Sequence, residues 1–190
     1  MKTLLHTCCG PCATVFLDGW LADGEVAPCL LWHNPNIHPF TEYRARKNAA
    51  QDFAAHHTLD VIVDDNYGLY EFLDTTYLGA DNARPNSAAK RCKICYEMRM
   101  NFTAAKATEL NFTAFSTTLL ASPWQNHEEI ITAGQNAAKN HGVEFVIKDY
   151  REGFRDGKQK ARQMGLYMQK YCGCIFSEAE RYQKHLQNSP

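Results

Sequence analysis

Short apolar runs alternate along this chain with longer stretches in which apolar residues recur every third or fourth position. Leu4-Leu5-His6, after Lys2-Thr3, reads as a short buried strand that ends at the loop Cys8–Cys12. Ala13 to Ala22 has helical spacing. Val26 to Trp32 is a second apolar run, broken by Pro28 and stopped by His33-Asn34-Pro35-Asn36. Phe40 to His57 is helix-like, with Tyr43, Ala50, Phe53 and Ala54 on one side and charges between them. Leu59 to Val63 is β-branched and strand-like, and a short helix fits Tyr70 to Tyr77. Leu78 to Lys90, rich in Gly, Asn, Ser and Pro, reads as a loop. Cys92 to Leu110 is helical, with Met98, Phe102 and Ala105 on one stripe. Strand-like Phe112 to Thr117, a helix from Asn126 to Asn140 and strand-like Val143 to Ile147 follow. Lys148 to Lys158 reads as a Gly-rich charged connection, Gln159 to Met168 as a helix, Tyr171–Cys174 as a turn and Ser177 to Leu186 as a closing helix.

This alternation predicts an α/β fold: one domain over residues 1–190, with a Rossmann-like, mostly parallel sheet flanked by helices. Ligands of such sheets bind beyond the carboxyl ends of the strands. Cys8 directly follows the first strand, and Ser116-Thr117 ends the strand begun at Phe112. Both belong at that edge, and a metal site is expected there.

Composition narrows the class. The 190 residues are 45% hydrophobic and 22% charged, ordinary for a globular protein in water. No apolar run approaches the roughly 20 residues that a membrane span needs. The apolar stretch at the N-terminus is too short for a secretion signal. The expectation is a cytoplasmic protein with no membrane partner. The formal net charge of −1 does not announce a nucleic-acid partner, yet Lys148 to Pro190 holds nine Lys+Arg against five Asp+Glu. That imbalance is either a solvated basic face or a surface for phosphates.

Disulfides are rarely structural in the cytoplasm, so eight cysteines point to metal binding or catalytic thiols. Seven are grouped, as Cys8-Cys9-Gly-Pro-Cys12, Cys92-Lys-Ile-Cys95 and Cys172-Gly-Cys174. Cys29, inside an apolar run, reads as a small buried hydrophobe. Cys92 and Cys95 are expected at a helix start, one turn apart, where exposed N–H groups favour thiolate; Cys8 and Cys9 lie in a strand-to-helix turn with a similar bias. Zinc ribbons space their Cys-x2-Cys knuckles about 15–20 residues apart. Here about 80 residues separate the first two groups, and adjacent cysteines do not readily aim at one small ion. An iron–sulfur cluster, zinc and metal-free thiol redox chemistry all stay open on spacing. A disulfide across one residue, as between Cys172 and Cys174, is strained and easily reduced, which suits a redox couple; two metal ligands or two inert thiols are the other readings.

Other polar groups cluster near the same edge. His6 and His33 read as hydrogen-bonded structural residues at strand ends. The turn-rich loop from His33 to Pro39 faces a substrate if one binds there. Ser116 to Pro123 offers hydroxyls for either a phosphate or sugar site or simple helix capping. Arg84, Lys90 and Arg91 are either phosphate contacts or solvated charges. Tyr167, Tyr171 and Phe176 surround the last cysteine pair, for packing or for stacking on a base.

Five motifs, in this order, resemble the epoxyqueuosine reductases of the QueH type: His6-Thr7-Cys8-Cys9-Gly10-Pro11-Cys12, His33-Asn34-Pro35-Asn36-Ile37, Lys90-Arg91-Cys92-Lys93-Ile94-Cys95-Tyr96, Phe115 to Pro123, and Tyr171-Cys172-Gly173-Cys174-Ile175-Phe176-Ser177. The resemblance runs from residue 6 to about residue 186. It implies a two-electron removal of the epoxide oxygen of epoxyqueuosine at the wobble position of tRNA, giving queuosine without cobalamin. It implies a [4Fe–4S] cluster on Cys8, Cys9, Cys92 and Cys95, and a redox-active disulfide at Cys172 and Cys174. Some members hold an additional iron beside the cluster, where the position of Cys12 can be Asp; Cys12 is the candidate ligand of such an iron here. The implied partners are tRNA carrying epoxyqueuosine and an unidentified electron donor. For tRNA phosphates, the stretch with Arg151, Arg155, Lys158, Lys160 and Arg162 is the candidate contact.

Two other classes compete. A nucleotide-binding α/β enzyme that modifies tRNA would want a Ser-Gly-Gly-x-Asp-Ser type phosphate loop after the first strand, and Cys-Cys-Gly-Pro-Cys stands there instead. A non-catalytic zinc module that binds nucleic acid differs in its metal, and absorption near 400 nm with metal analysis separates it from an iron–sulfur protein.

Overall fold

The computed structural model describes residues 2–77 and 87–187. In chain order it contains β1 (Thr3–His6), α1 (Gly10–Ala22), β2 (Cys29–Trp32), α2 (Phe40–His56), β3 (Val61–Val63), α3 (Leu69–Tyr77), α4 (Ala88–Glu109), β4 (Ala114–Thr117), α5 (His127–His141), β5 (Glu144–Phe145), α6 (Phe154–Gln163) and α7 (Ile175–Gln187). The strands form one sheet in the order β3-β2-β1-β4-β5, with every pairing parallel. Consecutive residues of a strand face opposite sides. Leu4 and Phe115 therefore pack with Met100, Ile130 and Phe145 beneath α4 and α5. Their neighbours Leu5 and Ala114 pack with Phe16, Trp20, Phe53 and Ala161 beneath α1, α2 and α6. Burial on both faces explains why the strands read as continuous apolar runs. Each fully buried Leu or Phe contributes roughly 1.5–3 kcal/mol.

Several boundaries differ from the sequence reading. β2 starts at Cys29 because Pro28 has no N–H for the ladder, and Val26 is left exposed. α4 starts at Ala88, inside the expected loop, because the Ser87 hydroxyl accepts the Lys90 N–H at 3.4 Å and caps it. The rest of that loop, with Arg84, lies outside the described residues. The buried face of α4 carries Tyr96, Arg99, Met100, Thr103 and Ala107, so Met98, Phe102 and Ala105 flank it, half-buried. Phe102 instead stacks on the His33 ring, with centroids 3.4 Å apart. The largest shift is α6. Gly157 suggested a connection but sits within the helix against α1, where an added Cβ would lie 2.5 Å from Val15 Cγ2. The helix stops at Met164-Gly165, with Gly165 in the left-handed region at φ 71°. Among the described residues, no helix is long and apolar enough to cross a membrane.

Candidate metal and redox centre

The strand order reverses between β1 and β4, which makes the carboxyl edge there the crevice of the sheet. β1 delivers Cys8 into it. The Cys8 N–H donates to Thr118 Oγ1 at 3.2 Å, and the Thr118 hydroxyl donates to Cys8 Sγ at 3.5 Å. Cys9 is the N-cap of α1 in an extended conformation, and Gly10-Pro11 begins the helix. The first turn returns Cys12 toward the strand end. The sulfurs of Cys8, Cys9 and Cys12 all lie within 4.8 Å of one another, with Cys8 and Cys9 3.8 Å apart. Adjacent cysteines thus converge here, against the expectation; the chain bends at Cys8 before Cys9 enters the helix. A tetrahedral metal with sulfur ligands at about 2.3 Å spaces them about 3.8 Å apart.

Charge within this triad is unequal. The Cys8 thiol is held well below its ordinary value, mainly by hydrogen bonds from Cys12 and Cys9, with help from Arg99 and Thr118. Burial pushes Cys9 up, and donation to Cys8 and Cys9 pushes Cys12 well up. The Gln169 amide donates to Cys9 Sγ at 3.0 Å.

The second group stands across the cavity. Cys92 and Cys95 lie in the second turn of α4, past Ser87 and the free amides of the helix start. The expected thiolate bias is therefore absent, and burial pushes Cys92 to about 11 and Cys95 to about 12. Cys172 and Cys174 sit on the turn before α7 as free thiols, Cys172 exposed and Cys174 half-buried. Gly173 allows that turn at φ 127°, and its missing Cβ makes room for Arg46 and Ile37. Arg46 of α2 donates to the carbonyls of Cys172 (2.9 Å) and Tyr171 (2.8 Å) and to Glu42 (2.7 Å). The Tyr171 hydroxyl donates to the His38 carbonyl, and the His38 N–H donates to the Gly173 carbonyl at 2.8 Å. The loop from His33 to Pro39 therefore braces the Cys172–Cys174 turn.

A cavity of about 510 Å³ opens between these groups, with Cys8, Cys12, Cys92 and Cys172 in its walls. Cys92, Cys95, Cys172 and Cys174 line an adjoining recess of about 60 Å³. Among the described residues, only the first triad is tight enough for one ion; Cys92 lines the same cavity, and Cys95 lines the adjoining recess.

Two buried arginines were not picked out from the sequence. Arg99 donates to His6 Nε2 at 3.2 Å, Asn34 Oδ1 at 3.0 Å and Cys95 Sγ at 3.8 Å. His6 Nδ1 meets Thr117 Oγ1 at 2.8 Å, and its Nε2 lies 3.2 Å from both the His33 carbonyl oxygen and Arg99 Nε. Burial and Arg99 both hold the His6 pKa well down. His33 pairs with Asp64 at 2.6 Å. Both histidines are structural, as expected. A signal for Arg46 was present: it shares the apolar stripe of Tyr43, Ala50 and Phe53 at helical spacing.

The remaining candidates separate. The Ser116 hydroxyl donates to the Val146 carbonyl, Thr117 Oγ1 accepts the Leu119 N–H as a cap, and the Thr118 hydroxyl donates to Cys8, while Leu119 and Ser122 line the cavity. Arg91 pairs with Glu180 and covers the Phe176 ring, and Tyr171 packs on Arg46. Cys29 is half-buried at the opposite edge of the sheet, beside Thr3 and Asp60. In the basic stretch, Lys148 pairs with Asp23, Arg151 with Asp149 and Lys160 with Asp18, while Lys158 lines the cavity.

The family described as Epoxyqueuosine reductase QueH matches residues 3–180. A protein of that name from Dehalococcoides mccartyi is 35% identical over 189 residues, covering 100% of this chain and 98% of its own length. One from Thermotoga maritima is 35% identical over 193 residues, with 98% and 95% covered, and one from Acinetobacter baylyi is 33% identical over 180 residues, with 93% and 80% covered. Cysteine groups from three remote segments meet at the crevice of the sheet, and the match spans all three: the chain belongs to the epoxyqueuosine reductase QueH family.

Proposed function

We propose that this protein reduces epoxyqueuosine to queuosine at the wobble position of tRNA, using a [4Fe–4S] cluster on Cys8, Cys9, Cys92 and Cys95 and a redox-active thiol pair at Cys172 and Cys174. The observation that carries this reading is one cavity walled by thiols from all three groups. The donor set fits an iron–sulfur cluster: Cys8 and Cys92 line the cavity, Cys9 is buried with its sulfur 3.8 Å from that of Cys8, and Cys95 lines the adjoining recess, with buried Arg46 and Arg99 placing positive charge beside an anionic assembly. When bound, the cluster supplies one-electron transfer.

The chain's own residues account for the rest. Converting an epoxide to an alkene consumes two electrons and two protons and releases water. A dithiol that closes to a disulfide yields two electrons and two protons, so Cys172 and Cys174 together match that demand. The ring they would form is strained and easily reduced again by an electron donor. Arg46 and His38 hold the turn at the cavity wall, next to where the epoxide must lie.

The 3.8 Å spacing of Cys8 and Cys9 supports a second metal reading, a single iron held by the triad with Cys12 as a ligand. Iron and acid-labile sulfide analysis separates the two: four of each per chain for the cluster alone, a fifth iron for both, one iron without sulfide for the triad alone. The activity is tested by anaerobic incubation with epoxyqueuosine-containing tRNA and dithionite, followed by nucleoside mass analysis. Queuosine is the expected product; unchanged epoxyqueuosine with cluster-loaded protein overturns the assignment.

A further inference from the structure

The mouth of the cavity carries features that the redox chemistry does not use. Trp124 is 82% exposed and lies in the cavity wall, its backbone N–H donating to Ser122 Oγ at 3.3 Å. An indole is large and mostly apolar, and leaving one in water forgoes the burial of roughly 150–250 Å². The walls also hold five cationic side chains and no carboxylate, in a chain whose formal net charge is −1. Arg46 and Arg99 are turned inward on protein partners. Lys158 on α6, Lys170 on the following loop and Arg181 on α7 have no ion pair among the described residues. A volume of about 510 Å³ is that of a small-molecule site, room for a single nucleotide rather than a base-paired stem. A nucleotide whose side group must reach Cys92 and Cys172 therefore leaves its stack, and its neighbours stay at the mouth.

We infer that the cavity mouth is a footprint for a single-stranded RNA loop, in which Trp124 stacks on the nucleotide next to the inserted one and Lys158, Lys170 and Arg181 hold the flanking phosphates. The inference rests on the tRNA reading above and adds the surface that recognises the loop. Stacking and charge leave different marks. An aromatic platform contributes affinity that is insensitive to salt, whereas each phosphate contact adds about 0.7 to the slope of log affinity against log salt for a single strand.

The test is fluorescence anisotropy of the purified full chain with a labelled anticodon stem–loop RNA across a salt series, and with a fully paired duplex of equal length. Wild type should prefer the stem–loop. Trp124→Leu should weaken it about 10-fold without altering the slope, and Trp124→Phe should restore binding. Lys158→Ala, Lys170→Ala and Arg181→Ala should each lower the slope by about 0.7. Equal affinity for the duplex, no binding by wild type, unchanged affinity of Trp124→Leu, or unchanged slopes in the cation variants each overturn the footprint. Turnover of epoxyqueuosine-containing tRNA is measured in parallel. A wild type that shows the binding pattern yet makes no queuosine breaks the reductase reading alone. Variants that bind and turn over like an active wild type break the footprint alone.

Discussion

Cys8 and Cys92 share a cavity, yet the fold treats their thiols in opposite ways. Cys8 follows a central strand, accepts the Thr118 hydroxyl and lies beside the Cys9 and Cys12 thiols, and these contacts hold its pKa well below the ordinary thiol value. Cys92 lies on a helix beyond the last free amide, and burial keeps it protonated to about 11. Both positions are cysteine within short motifs, so the difference comes from the scaffold. A sheet edge offers convergent donors to whatever follows the strand. The second turn of a helix has already spent its amides on its own ladder. Cys8 is therefore biased toward the anion without a metal, whereas a metal that binds Cys92 must displace its proton to solvent.

The sharpest way to break this contrast is to remove the Cys8 thiol. Cys8→Ser should lose bound iron, the absorbance near 400 nm and all turnover, while Cys172→Ser should keep the iron and the colour. If Cys172→Ser supports multiple turnovers with dithionite at the wild-type rate, the thiol pair has no essential redox part.

A second experiment counts protons. Metal-free protein titrated with Co²⁺, read by thiolate charge-transfer absorption, should bind more tightly as pH rises from 7 toward 10, because protons compete for the raised thiols. Each raised thiol that joins the metal contributes about tenfold per pH unit below its pKa. Cys92→Ala should reduce that dependence by one proton; an unchanged slope would place Cys92 outside the metal's shell. The same shift runs the other way for the fold. A raised thiol favours the folded metal-free protein fully below the ordinary thiol value, and that contribution fades as pH passes through about 11.

A smaller effect is expected where the walls are braced rather than where they bind. Arg46→Gln leaves the carbonyls of Tyr171 and Cys172 and the Glu42 carboxylate short of their donor, at a cost on the order of 2 kcal/mol by urea denaturation. An unchanged midpoint would mean that the turn holds its shape without Arg46.

Much of this was legible before the structure. The strands followed from apolar runs buried on both faces, and the placement of Cys8 followed from the rule that such strands end at the ligand edge. What stayed hidden depends on contacts between remote segments. Gly157 reads as a helix breaker until Val15 is seen against it. Half of the basic stretch reads as a phosphate surface until Asp18, Asp23 and Asp149 are seen to neutralise it. The start of α4 was misplaced by four residues, which moved Cys92 and Cys95 off the helix terminus and reversed their expected ionisation. Arg99 gave little warning, since its partners His6 and Asn34 lie on other elements.

The bracing of the Cys172-Gly173-Cys174 turn has a mechanical consequence. Arg46 and the His38 amide grip its carbonyl oxygens, and the Tyr171 hydroxyl ties the preceding residue to the neighbouring loop. Those anchors touch backbone atoms whose charge does not change when sulfur is oxidised or reduced. In the redox cycle proposed above, the sulfurs would change state on a turn whose backbone anchors keep the same partners and the same charge.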